Sequence, residues 1–154
     1  MWVYDKGCHT LACLRHSRFN EGASSTFKAD GEAFNIQYGS GGVNGVVGRD
    51  TASLGEAKAQ MGFGLINKTS GPTFLVSQMD GIIGLGYDTI SVDKLPTWVE
   101  SSDLPTKEFG FYLHNNPVQS YMTMGGCQTE GFTKIKEHNV IEKTYWNLSL
   151  DSVK

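Results

Sequence analysis

Three groups of residues in this 154-residue chain have the types and spacing to do chemistry. The first is Cys8-His9 followed by Cys13 and His16, two thiols and two imidazoles within nine residues. Thiolate and imidazole are favoured zinc ligands, but the spacing fits neither of the usual C-x-x-C pairs. A small disulfide loop with two solvated histidines, formed in an oxidising compartment, accounts for the same residues and leaves Cys127 over. The second group is Gly39-Ser40-Gly41-Gly42, a serine in a glycine turn. A G-x-S-x-G nucleophile needs a strand running into a helix, whereas the residues after Gly42 read as a second strand. The paired glycines at 62 and 64, or 84 and 86, do not complete G-x-G-x-x-G, so dinucleotide binding is set aside.

The third group is acidic. Two carboxylates that share a proton act together as general acid and base on a water molecule. The candidates are Asp50-Thr51-Ala52, Asp88-Thr89-Ile90 and Asp151-Ser152-Val153. None is followed by Gly, and each reads as a solvated or turn carboxylate.

The elements that must position these groups are mostly strands. Phe34, Ile36 and Tyr38 alternate with Asn35 and Gln37, the period of a strand with one buried face. Gly39 to Gly42 permits a tight reversal, and Val43 to Leu54 continues in extended form, so residues 34–54 predict a long hairpin. Leu54 to Ala57 is a second turn, and Ala59, Met61, Phe63 and Leu65 mark another strand. Asn67 to Pro72 reads as a loop, and the glycine-punctuated run Asp80 to Tyr87 as a buried strand with close backbone approach. Leu95, Trp98 and Val99 at i, i+3 and i+4, with Pro96 in the first turn, predict one short helix. Strands are expected over Phe109 to His114, Tyr121 to Met124 and Trp146 to Leu150. The fold class is mostly β, in one domain.

Composition narrows the partners. Thirteen Lys and Arg, scattered along the chain, against sixteen Asp and Glu give a net charge of −3, which argues against nucleic acid. No apolar run approaches the roughly 20 residues of a membrane span. Met1 leads directly into Trp2-Val3-Tyr4 without a basic and then apolar leader, so no signal peptide is visible in this chain. Sequons at Asn67-Lys68-Thr69 and Asn147-Leu148-Ser149 lean towards a secreted protein, with Asn67 the glycan site to consider.

Taken in order, these segments resemble most of the N-terminal lobe of a pepsin-like aspartic protease. The resemblance rests on Met1-Trp2-Val3, the Cys8 to Cys13 loop, Ser24-Ser25-Thr26-Phe27 and Ile36-Gln37-Tyr38-Gly39-Ser40-Gly41. It continues through Gly45, Gly48, Asp50 and Thr51, Asp80 to Tyr87, Phe109 to Leu113, Gly125-Gly126 and Tyr145 to Leu150. It implies that residues 1–154 are a partial lobe, an incomplete β-barrel or sandwich with one short helix, in which 145–154 is a strand leading towards the interdomain region. It also implies that Tyr38 is the tyrosine of a substrate-covering flap, that Gly39 and Ser40 bond the substrate main chain, and that the Trp2 indole supports Tyr38. Ile82, with Phe74, Leu75 and Met79, would wall the pocket before the scissile bond, and β-core packing explains the last three equally well.

The resemblance implies no metal or organic cofactor, a peptide or protein substrate, and a secreted or lysosomal/vacuolar location for the full-length protein. The family's Asp-Thr/Ser-Gly motifs are missing: neither tripeptide occurs in the 154 residues. The expectation is therefore a fragment of an aspartic endopeptidase, inactive as this chain alone. The alternative is a genuinely short, non-catalytic peptide-binding or decoy protein that uses the flap hairpin.

Overall fold

The computed structural model describes residues 1–153. The strands are β1 (Trp2–Asp5), β2 (Arg18–Phe19), β3 (Lys28–Tyr38), β4 (Gly41–Leu54), β5 (Ala57–Ser70), β6 (Gly81–Ile82), β7 (Phe109–Tyr112) and β8 (Tyr121–Met124). Single-turn helices α1 (Leu11–Leu14), α2 (Thr73–Val76) and α3 (Trp98–Ser101) lie between them. The main sheet runs β2-β1-β5-β4-β3, with β6 also pairing with β1, and β7 and β8 form a separate hairpin. The mostly β class stands.

β3, β4 and β5 form an antiparallel meander, and β1 lies alongside β5 in parallel. β5 is covered on both faces. Met61, Phe63 and Leu65 pack with Ala59, Trp98 and Val99, while Ile66 joins Trp2, Tyr4, Phe34, Val43, Val47 and Phe74 on the other side. The intervening glycines make this layering fit. A Cβ on Gly64 would occupy the place of the Phe34 ring, and one on Gly45 would collide with the Leu65 backbone carbonyl. Gly45 also sits where the β4–β5 register shifts, after Asn44. At the β4–β5 turn, Leu54 pairs with Ala57, leaving a two-residue loop whose Gly55 takes a φ of 61°.

Several boundaries differ from the sequence pattern. β3 starts at Lys28, well before Phe34, and absorbs a register shift between Ala29 and Ala33. Residues 67–70, expected as loop, extend β5, because β4 pairs with them as Val43↔Thr69 and Gly42↔Ser70. Asn67 is therefore exposed on a strand and not on a loop. The expected buried strand over Asp80 to Tyr87 shrinks to Gly81–Ile82; Gly84 and Gly86 bring no side chain to bury, and Ile83 is exposed.

The predicted helix begins at Trp98 and not at Leu95. The Thr97 hydroxyl accepts from the Glu100 N–H and the Glu100 carboxylate accepts from the Thr97 N–H, a capping box that fixes the start and leaves Pro96 outside. β7 stops at Tyr112, short of His114, while β8 spans Tyr121–Met124 as expected. No strand forms over Trp146 to Leu150. The alternation there pairs with no strand: the Trp146 ring packs against Tyr87 and Phe109, but Trp146, Leu148 and Leu150 all stay exposed.

Gly45→Ala should cost about 3 kcal/mol through backbone displacement at the β4–β5 seam. Gly39→Ala, with nothing within 4 Å of the added carbon, should change stability by less than about 0.5 kcal/mol. Urea unfolding midpoints of the two variants against the parent protein check both.

Candidate functional site

The hairpin β3–β4 projects Tyr38 to its tip, where the ring meets two residues from distant parts of the chain. The Trp2 indole N–H donates to the Tyr38 hydroxyl at 2.9 Å, and the Phe74 ring packs edge-on against both Tyr38 and Trp2. Trp2 is almost fully buried, so its N–H has no recourse to water and needs this acceptor. Gly39 and Ser40 form the exposed turn. The tip is tied down by its neighbours: Thr73 Oγ1 donates to the Ser40 carbonyl at 3.2 Å and the Gly42 N–H to Ser70 Oγ at 3.0 Å.

A cavity of about 550 Å³ opens beneath this hairpin. Trp2, Phe34, Ile36 and Tyr38 form one side, and Ile82, Val92 and Leu95 are among the residues opposite. Ile82 reaches it because β6 pairs with β1 in the register Trp2↔Ile82. The volume and apolar walls suit a side chain or small ligand, and Gln37, Ser91 and Thr97 add polar groups at its edge.

The expected site residues thus divide. Trp2, Tyr38 and Ile82 come together around the cavity, and Gly39 and Ser40 sit at the hairpin tip next to it. Phe74 is buried behind Tyr38 and Trp2 and does not line the cavity, while Leu75 and Met79 are exposed on the segment around it. Phe34 and Ile36 were missed as lining residues although their period-two alternation with Tyr38 puts all three on one face. Val92 and Leu95 carried no such signal, because irregular turns deliver them.

The cysteine and histidine group resolves clearly. Cys8, ahead of α1, and Cys13, within it, form a disulfide, which leaves neither thiolate for a zinc ion, and Cys127 is free and exposed. His16, expected to be solvated, is not: its ring is stacked on Tyr4 at 4.8 Å and its side chain is only 3% exposed. Its nitrogens lie 3.2 Å from Asp80 Oδ1 and 3.3 Å from the Phe74 carbonyl.

The acidic candidates stand apart from the cavity. Asp50, expected at the surface or in a turn, is buried. Burial works against its ionisation, but hydrogen bonds from Ser24, Thr26 and the Thr51 N–H outweigh this and hold its carboxyl below the usual range. It therefore anchors the Ser24 to Thr26 turn to β4. Asp88 and Asp151 are exposed. Among the described residues, no helix is long and apolar enough to cross a membrane.

Comparison with known proteins agrees with this geometry. The family model for eukaryotic aspartyl protease matches residues 1–154. Vacuolar protease A of Aspergillus fumigatus is 35% identical over 162 residues, covering 99% of this chain and 41% of that protein. Pepsin II-1 of Oryctolagus cuniculus is 38% identical and cathepsin D of Chionodraco hamatus 35%, each over 99% of this chain and 41% of its own length. The chain thus spans about two fifths of the length of these relatives.

Tyr38→Phe keeps the ring packing but strips the Trp2 N–H of its acceptor. It should destabilise the protein by about 1–2 kcal/mol. In a double-mutant cycle with Trp2→Phe, denaturant unfolding should return a coupling of about 1 kcal/mol.

Proposed function

Because the chain belongs to the eukaryotic aspartyl protease family, we propose that it supplies the flap and half of the substrate cleft of a pepsin-like aspartic endopeptidase. The observation that carries this reading is the Trp2–Tyr38 hydrogen bond, which holds the hairpin tip over an apolar cavity. An extended peptide lying across the cavity would place an apolar side chain against Ile82 and Tyr38. Its main chain would meet the exposed turn at Gly39 and Ser40, whose backbone groups can bond it as a neighbouring strand would. Phe74 supports Tyr38 from behind, and Leu75 and Met79 extend the apolar rim beyond it.

The hydrolytic step needs a carboxylate pair in which one group holds a proton while the other deprotonates water. Asp50 is committed to Ser24, Thr26 and Thr51, and no Asp-Thr-Gly or Asp-Ser-Gly occurs in these residues. The pair therefore comes from outside them, and this chain alone binds peptide without cleaving it. No cofactor is required. The Cys8–Cys13 disulfide favours an oxidising compartment, and the relatives include vacuolar proteases, so a vacuolar, lysosomal or secreted setting fits the full-length protein. There the exposed Asn67 would be open to glycosylation.

The alternative, a non-catalytic peptide-binding protein, draws on the hairpin and cavity being assembled without a catalytic pair. Peptide binding is common to both readings, and hydrolysis separates them from any self-sufficient enzyme. An extended peptide with apolar residues should bind the chain near pH 5 and quench its tryptophan fluorescence saturably. Tyr38→Ala should weaken that binding about tenfold, and mass spectrometry should detect no cleavage product. Cleavage by the chain alone, or binding indifferent to Tyr38→Ala, would overturn the assignment.

A further inference from the structure

Residues 127–139 are exposed at every position and belong to no helix or strand. Among the described residues, the one backbone hydrogen bond within this stretch runs from the Phe132 N–H to the Thr129 carbonyl at 3.5 Å, too long to hold the chain firmly. Both flanks are fixed. Before the stretch, β8 pairs with β7 and the Gly125 N–H donates to the Glu108 carbonyl at 2.8 Å. After it, the Thr144 carbonyl accepts from the Tyr87 N–H and the Lys143 carbonyl from the Thr89 hydroxyl. The Trp146 indole then donates to the Leu85 carbonyl at 2.9 Å, and its ring packs on Tyr87 and Phe109.

An endopeptidase takes its substrate as an extended strand, so the N–H and C=O groups it reads must be free and the chain must stand clear of the fold. The residues around Lys134 and Lys136 meet these conditions. The other described basic residues do not. Those in β2 to β5 are engaged in the sheet, and Lys6, Arg15, Lys94 and Lys143 each have a backbone group already bonded. Lys107 is exposed, but only residues 104–107 lie between the bonded positions Asp103 and Glu108, and its ammonium donates to the Ser102 carbonyl.

We propose that the Lys134–Ile135 bond is a processing site for an endopeptidase whose primary pocket ends in a carboxylate, and that its hydrolysis gives a two-chain protein that stays assembled. The pocket carboxylate pairs with the Lys134 ammonium. Lys136 is the poorer choice, because the Glu137 carboxylate follows it and repels the charge of the pocket. One water is consumed: the amide C–N bond breaks, Lys134 keeps the new carboxylate and Ile135 the new amine. The bonds at Lys143, Thr144 and Trp146 then keep the piece that starts at Ile135 on the rest of the chain. This inference does not rest on the peptide cleft.

Limited trypsin digestion of the native 154-residue protein, followed by intact mass and native size-exclusion chromatography, tests it. The first products should be residues 1–134 and 135–154, eluting together. Lys134→Gln should slow that first cut at least about tenfold, while Lys107→Gln should leave its rate unchanged. Trp146→Ala should let the smaller piece elute separately after the same cut. A first cut outside residues 127–139, a first-cut rate indifferent to Lys134→Gln, or separation of the two pieces without the Trp146 substitution would refute the proposal.

Discussion

One buried donor organises the site: the indole N–H of Trp2. β1 lies between β5 and β2 inside the sheet, so its tryptophan is sealed from water, and among the described residues the acceptor its indole N–H meets is the hydroxyl of Tyr38 from the far end of the β3–β4 hairpin. A buried N–H without a partner costs about 1–3 kcal/mol, enough to select the hairpin position that satisfies it. Much of the layering follows from the same strand. Gly64 pairs with Trp2 and leaves room for Phe34, while Ile82 pairs with it from the other side and becomes a wall of the cavity.

The order of strands could be read from local patterns where one face is buried and the other wet. That condition holds for residues 34–38 and for β5, whose alternation survives despite its two covered faces because glycines mark one of them. It fails where apolar residues alternate without a partner strand. Trp146, Leu148 and Leu150 alternate as a strand would, but no partner strand stands next to them and they remain exposed. The Asp80 to Tyr87 run failed for a related reason: a glycine-rich apolar sequence permits close approach without demanding a ladder, and only Gly81 and Ile82 pair with β1.

The site was legible to the same extent. Trp2, Tyr38 and Ile82 were identified through their place in a familiar order of motifs, and the structure brings them around one cavity. The pairing of His16 with Asp80 had no local signal, since 64 residues separate them and neither belongs to a patterned element. Asp50 misled in the opposite sense. A short acidic tripeptide looks like a surface group, yet hydrogen bonds from Ser24, Thr26 and Thr51 replace water around its carboxylate and let it be buried in the charged form. Asp50 and Asp80 thus both have structural partners, Asp80 being held by Ser17 and His16.

If these residues form the flap side of a two-carboxylate cleft, as proposed, the native protein extends beyond them. The most direct measurement is the intact mass of the native protein, with sequencing of its terminal peptides, after capture by an antibody to residues 60–80. The account predicts a species larger than 16.8 kDa whose additional peptides contain Asp-Thr-Gly or Asp-Ser-Gly. A stable native protein of 16.8 kDa that begins at Met1 would contradict it.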